Sequence, residues 1–149
     1  MEIAKAVSFS FLKQGVNMAD IRKINEHYTE IAAELLKTES ELQYIADSNA
    51  TIVYLSSQAE RRSKSKITFG ECEKVPTKFK WSIPADFTIT LFEPNIIDFT
   101  EEQIKTLLFH ELLHVGIIND GDEEKYFIRP HDLEDFKLII DRFGTEWNM

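Results

Sequence analysis

The sequence predicts a single α+β domain made of a long N-terminal helix, a small, mainly antiparallel sheet, a buried helix and a closing helix. Its 149 residues suit one domain with its own hydrophobic core, covering residues 1–149. Three observations support this fold class. An apolar repeat at helical spacing occupies the first third, short β-branched and aromatic segments follow, and two apolar helical patterns close the chain.

The N-terminal segment, residues 1–45, is predicted to be mostly helical. Asn17 and Asp20 offer capping side chains, and apolar residues recur mainly at steps of three or four, the spacing of one helix face. We expect a helix from about residue 18 into the forties, with a break near residues 38–40. Its apolar stripe consists of Ile21, Ile24, Tyr28, Ile31, Leu35 and Leu42.

Three short segments in the middle of the chain are predicted strands. Residues 51–55 and 66–69 are rich in β-branched and aromatic side chains, and residues 86–93 alternate apolar with polar positions. Gly70 and Pro76 are predicted turn residues between them.

Two helices are predicted after the sheet. Thr100 and Gln103 form a capping box, and the following apolar positions cover most of the helix circumference, as in a buried helix. Gly116 is the expected stop. A closing helix is predicted from Pro130, a residue favoured at the first helical position, to Gly144.

The chain is acidic, with 17 Lys and Arg against 26 Asp and Glu and a formal net charge of −9. This balance excludes a general nucleic-acid binder, which would show a basic stripe. The short basic run around Arg61 and Arg62 is interpreted as a solvated loop, as are residues 122–124.

Cys72 is the single cysteine, so no internal disulfide is expected, and we interpret it as an ordinary unpaired thiol rather than a metal ligand. His27 is expected at the surface without a partner. The N-terminus shows no secretory signal and no segment could span a bilayer. A cytoplasmic location is therefore expected.

The predicted buried helix contains an HExxH motif, His110-Glu111-Leu112-Leu113-His114. Side chains four apart lie on one helix face, about 6 Å apart along the axis, so both imidazoles can bind one zinc ion. Glu111 is rotated by about 100° from His110, where it can act as a general base toward the attacking water. A metal would also supply partners for polar groups that are costly to bury alone.

A third protein ligand is expected, because catalytic zinc sites usually have three. His131 is the first choice, since it lies 17 residues beyond His114 at the start of the closing helix. Asp120 is an alternative at the spacing of the third ligand in metzincins, although that pattern places glycine where this chain has Ile117. Glu134 is a further alternative, a carboxylate ligand of the gluzincin kind.

Supporting roles stay open between several residues. Asp132 or Asp135 could hold a ligand imidazole in one tautomer. Tyr126, Arg129 or Tyr54 could donate a hydrogen bond to the tetrahedral oxyanion, and the spacing selects none of them.

Five short segments follow one another along the chain in the order found in a known family: GECEKV at 70–75, EPN at 93–95, HELLHVG at 110–116, RPHDLEDF at 129–136 and IDRFG at 140–144. This string resembles the phage metallopeptidase family across roughly residues 45–147, and is more distantly similar to SprT-like zinc proteases. The resemblance implies a compact zincin-like domain with Zn²⁺ held by His110, His114 and His131 and with Glu111 as the base. The region from residue 46 to 149 carries this likeness; the first 45 residues do not.

The predicted function is zinc-dependent hydrolysis of peptide bonds in a peptide or protein substrate, by a phage- or prophage-encoded enzyme in the bacterial cytoplasm. Zincins usually hold the substrate beside an edge strand, so by resemblance the segment 86–93 is expected to be that edge. The alternative is a non-catalytic binding protein on a zincin scaffold, with zinc stabilising the fold and a host factor as its target. In either case the N-terminal helix could serve a homodimer or a host partner.

Overall fold

The computed structural model describes residues 19–63, 66–131 and 142 of the chain. This part is α+β, which confirms the predicted class. Its elements are β1 (Arg22–Ile24), α1 (Glu26–Thr38), α2 (Gln43–Ala46), β2 (Ile52–Ser57), β3 (Arg62–Ser63), β4 (Lys66–Ile67), β5 (Gly70–Lys74), β6 (Phe87–Phe92), α3 (Glu101–Leu112), β7 (Val115–Asp120) and β8 (Glu123–Ile128). No helix in these ranges is long and apolar enough to cross a membrane.

The main sheet has four strands in the order β1-β2-β6-β5. The central pair, β2 and β6, is parallel, whereas β1 and β5 run antiparallel to their neighbours. The sheet is therefore mixed. Two further ladders, β3 with β4 and β7 with β8, are antiparallel hairpins.

The core lies between one face of this sheet and the helices. Phe87, Ile89 and Leu91 alternate along β6, so they project from the same face, and all three are fully buried. The helices bring their own apolar faces against them. The core side chains that α1 and α3 contribute are Tyr28, Ala32, Leu35, Leu107, Leu108 and Leu112. The apolar stripe of α1 is thus used for packing within the chain.

The opposite face of the sheet carries an ionic bridge from one edge to the other. Arg22 of β1 reaches across to β5, where its guanidinium donates to Glu71 at 2.6 Å and to Glu73 at 2.7 Å. It also donates to the buried Thr90 at 2.9 Å. This bridge holds the outer strand β5 to the rest of the sheet. Arg61, from the predicted solvated basic run, joins the same cluster through Asp20 at 3.3 Å.

The N-terminal helix begins later than predicted. Asn25 is its N-cap, with its side chain accepting from the Tyr28 backbone N–H at 2.9 Å, and β1 precedes it. Ile21 and Ile24 fit the helical spacing by coincidence, since both lie in or beside β1 and are mostly exposed. The predicted break is confirmed, because α1 ends at Thr38 and a 3₁₀ turn leads into α2.

Two predictions about the strands were wrong, and a third is confirmed only in part. Gly70 is the first residue of β5 rather than a turn residue, and only Lys66–Ile67 of the segment 66–69 is extended in a ladder. The expected edge, residues 86–93, is instead the central strand β6, because it pairs with β2 on one side and β5 on the other. In the described part of the chain, β5 is the edge on that side of the sheet.

The capping box of α3 is confirmed, but the helix ends at Leu112, not at Gly116. Gly116 lies in β7, and the hairpin of β7 and β8 was not predicted. Glu123 and Glu124, expected in a turn, open β8. The closing helix is predicted to begin at Pro130, but Pro130 and His131 are not helical. Of the rest of that segment the structure describes only Arg142, which is helical.

Candidate metal centre

The HExxH motif lies where α3 ends. His110 and Glu111 are in its last turn, and His114 follows one residue after the Leu113 cap, with its N–H donating to the Glu111 carbonyl at 3.1 Å. The helical conformation of Leu113 keeps the spacing of four residues on one face. The rings of His110 and His114 consequently lie with their centroids 5.2 Å apart.

The hairpin returns the chain to the motif. Val115 pairs with Ile128 in the ladder, and one step further the Arg129 N–H donates to the His114 carbonyl at 2.7 Å. This register places His131 against the helix end. Its ring centroid is 4.8 Å from that of His110 and 4.4 Å from that of His114.

The three imidazoles form a cluster that could hold a metal ion. One ring nitrogen from each of His110, His114 and His131 lies within 4.8 Å of the other two, and the Nε2 atoms of His110 and His131 are 2.9 Å apart. Nitrogens that bind one ion at about 2.0–2.1 Å lie at most about 4.2 Å apart, so small movements of the side chains would bring all three onto one ion. The structure therefore brings together the three histidines that the sequence selected.

The tautomer of His114 follows from its hydrogen bond. Its Nδ1 lies 2.7 Å from the Arg129 carbonyl oxygen, and because a carbonyl only accepts, Nδ1 must carry the proton. Nε2 is then left with a lone pair, as a metal ligand requires. Burial is the main reason that the pKa of His114 is lowered to about 4, so the ring is neutral at neutral pH.

Glu111 lies beside this cluster without belonging to it. It is buried, with 4% of its surface exposed, and its Oε2 is 4.0 Å from His110 Nε2. Its other neighbour is the start of the edge strand. A Cβ built on Gly70 would lie 3.5 Å from Glu111 Cγ, and only 2.8 Å from Leu91 Cδ2. Gly70 therefore allows β5 to approach the motif closely.

This proximity of β5 to the motif was missed in the sequence, although a signal was present. Glu71, Cys72 and Glu73 alternate polar with apolar side chains, which is the sequence pattern of a strand with one buried face. Cys72 does not belong to the histidine cluster. Burial, together with the nearby charges of Glu111 and Glu73, raises the pKa of its thiol, so it stays protonated.

Asp120, one of the two alternative ligands, does not join the cluster. Asp120 lies at the far end of β7, where it is exposed and pairs with Lys125 at 2.9 Å. Glu134, Asp132 and Asp135 lie outside the described residues.

The three residues that could donate a hydrogen bond to the tetrahedral oxyanion differ in their surroundings. The Tyr54 hydroxyl is buried in the core and has no hydrogen-bond partner in the described ranges, and the Tyr126 hydroxyl donates to Glu124 at 2.8 Å. Arg129 is the candidate whose backbone contacts the histidine cluster, through His114. His27 is at the surface as predicted, but it has a partner, since its Nε2 lies 2.5 Å from the Glu101 carboxylate at the start of α3.

Comparison with protein families gives a match over most of the chain. The family described as "Putative phage metallopeptidase" matches residues 22–149. The chain belongs to this family. The match begins well before the motifs at 45–147 and includes α1, so the family segment contains both helices that pack on the sheet. No curated protein and no solved structure matches the chain significantly.

Proposed function

We propose that the protein is a zinc-dependent metallopeptidase of a phage or prophage, with His110, His114 and His131 as the metal ligands and Glu111 as the general base. The observation that carries this proposal is the convergence of three imidazoles, one of them locked by a backbone carbonyl in the tautomer that exposes Nε2. Family membership supports the reaction class.

The donor set fits zinc. Three neutral imidazole nitrogens are a common protein ligand set for catalytic Zn²⁺, with a position left for water or substrate. When bound, zinc supplies Lewis-acid polarisation of the scissile carbonyl and lowers the pKa of water. The absence of a thiolate from the cluster also agrees with a catalytic rather than a closed structural site.

Glu111 is placed to move the proton. Its carboxylate lies next to the His110 nitrogen without being a member of the ligand set. In the proposed mechanism it accepts a proton from the attacking water and then donates that proton to the leaving amine. Its burial beneath β5 excludes competing solvent and strengthens these transfers.

The edge of β5 is the proposed binding surface for the substrate backbone. Within the described residues β5 pairs only with β6, so its outer N–H and C=O groups can pair with an extended peptide. Because β5 begins beside Glu111, a peptide added there would pass next to the histidine cluster.

Glu111→Gln tests the proposal. We expect the zinc content to stay near one ion per chain by elemental analysis, because Glu111 is no ligand. Cleavage of a peptide library prepared from a bacterial lysate, followed by mass spectrometry, should fall by at least about 100-fold. Glu102→Gln is the matched control, an exposed glutamate in the first turn of the same helix. Equal cleavage by wild type and Glu111→Gln would contradict the peptidase and favour a metal-stabilised binding protein.

A further inference from the structure

The segment 75–86, which links β5 to β6, presents apolar side chains to solvent. Trp81 is 85% exposed, Phe79 44% and Ile83 40%. Single exposed apolar residues are ordinary, but three within five positions, one of them a tryptophan, indicate a binding surface.

The segment is nevertheless held in a defined conformation. The Val75 N–H donates to the Asp86 carbonyl at 2.9 Å, and the Ile83 N–H donates to the Phe79 carbonyl at 2.9 Å. Lys80 is fixed to the Asp86 carboxylate at 2.7 Å and lies over the Tyr126 ring. The aromatic side chains are therefore displayed on an ordered turn, which is the arrangement of a binding platform.

The charge of this region is opposite to that of the whole protein. Residues 74–85 contain three lysines and no acidic residue, whereas the chain as a whole has a net charge of −9. Lys80 is neutralised by Asp86, which leaves Lys74 and Lys78 as exposed cations beside the aromatic patch. Such a surface is complementary to an acidic segment that also carries aromatic or large apolar side chains.

The position of this surface relative to the proposed active site follows from β5. The strand starts at Gly70 beside Glu111 and ends at Lys74. Four steps of about 3.3 Å separate these residues by about 13 Å, so a peptide paired along the edge reaches the turn about four residues from the site of cleavage.

We propose that this platform, formed by Lys74, Lys78, Phe79, Trp81 and Ile83, selects substrates that carry an acidic and aromatic segment about four to seven residues from the scissile bond. The inference rests on the proposed function. The zinc site and Glu111 act on any peptide bond, and the platform supplies the sequence preference.

Peptide binding tests the platform separately from catalysis. The probe is an array of twelve-residue peptides with a constant centre, and with flanks rich in Glu and Phe, in Lys and Phe, or in Ser. Zinc-loaded Glu111→Gln protein should bind the Glu and Phe peptides best. Adding Trp81→Ala or Lys78→Glu should weaken that binding by about tenfold, the usual effect of losing an interfacial hot spot.

The matched controls lie on β1, at the opposite edge of the sheet. Ile24→Ala removes an apolar side chain that is 66% exposed, and Lys23→Glu reverses an exposed strand lysine. Neither should change peptide binding. Equal binding of all three peptide classes would overturn the platform, and so would equal binding by Trp81→Ala and its parent. A finding that Trp81 instead joins two copies of the chain would not rescue the proposal in either case.

A second arm distinguishes this failure from failure of the proposed function. Cleavage-site profiles of wild type and of Trp81→Ala should differ in their preference for acidic and aromatic residues away from the cut, with the cut itself retained. Cleavage without this preference overturns the platform alone. Lack of any cleavage by wild type overturns the peptidase, and the array still decides the platform.

Discussion

His114 shows how one backbone contact prepares a side chain for metal binding. The HExxH spacing is local, so the sequence alone places two imidazoles on one helix face. The Arg129 carbonyl that fixes the His114 tautomer lies 15 residues further along the chain, so no local sequence pattern predicts this contact. Gly70 is similar, because its need for a small side chain arises from Leu91 and Glu111, which are distant in sequence.

Acid should destabilise the metal-free protein through His114. Its pKa is about 4 in the fold, below the ordinary value of 6.5, so between these pH values the unfolded chain binds more protons than the folded one. The contribution of His114 to the free energy of unfolding is therefore fully present above pH 6.5 and is lost as the pH falls toward 4. Urea unfolding in the presence of chelator, at several pH values, measures this slope.

The control is His114→Asn, whose side-chain amide can still donate to the Arg129 carbonyl but does not titrate. We expect a shallower loss of stability with acid in this variant. Identical slopes for the two proteins would mean that His114 does not carry the effect.

At the scale of elements, the hairpin of β7 and β8 is the part that the sequence analysis does not predict. Val115 continues the apolar pattern of α3, so the sequence predicts helix as far as Gly116. The Gly121-Asp122 pair is typical of a two-residue hairpin loop, and Gly121 does adopt a φ of +68° between the paired residues Asp120 and Glu123. The hairpin matters because it carries His131 back to the helix.

Gly121→Ala should weaken the hairpin. A left-handed conformation costs an alanine about 1–2 kcal/mol, and no atom within 4 Å of a Cβ at Gly121 would compensate. We expect a lower urea midpoint and weaker zinc binding in a competition titration. Gly121→Asn is the control, since asparagine tolerates this conformation, and it should lie close to wild type. A loss in the asparagine variant as large as in the alanine variant would exclude backbone strain as the cause.

At the scale of the whole molecule, the site joins two elements that are distant in the chain. His110 and His114 belong to the end of α3, whereas His131 follows the hairpin of β7 and β8, which is buried at Val115 and exposed toward its loop. A metal bound by all three would add a second tie between the hairpin and α3 and would stabilise the folded state by linkage.

Metal removal should therefore lower the melting temperature of the wild type. At a free zinc concentration 100 times its dissociation constant the stabilisation is about 2.7 kcal/mol, and a chelator abolishes it. His131→Ala should bind zinc weakly and respond little to chelator, whereas Asp120→Ala should behave as wild type. Zinc loss in Asp120→Ala with retention in His131→Ala would transfer the third position to Asp120.

The sequence by itself determined the α+β class, the capping of α3 and the placement of His110 and His114 on one helix face. These depend on periodicity, capping chemistry and helical spacing, which act over a few residues. Only the tertiary structure decided that β6 is central, that β5 is the edge beside Glu111, and that a hairpin delivers His131. Strand order and register depend on contacts between residues distant in the chain, and alternation along one strand does not specify its neighbour.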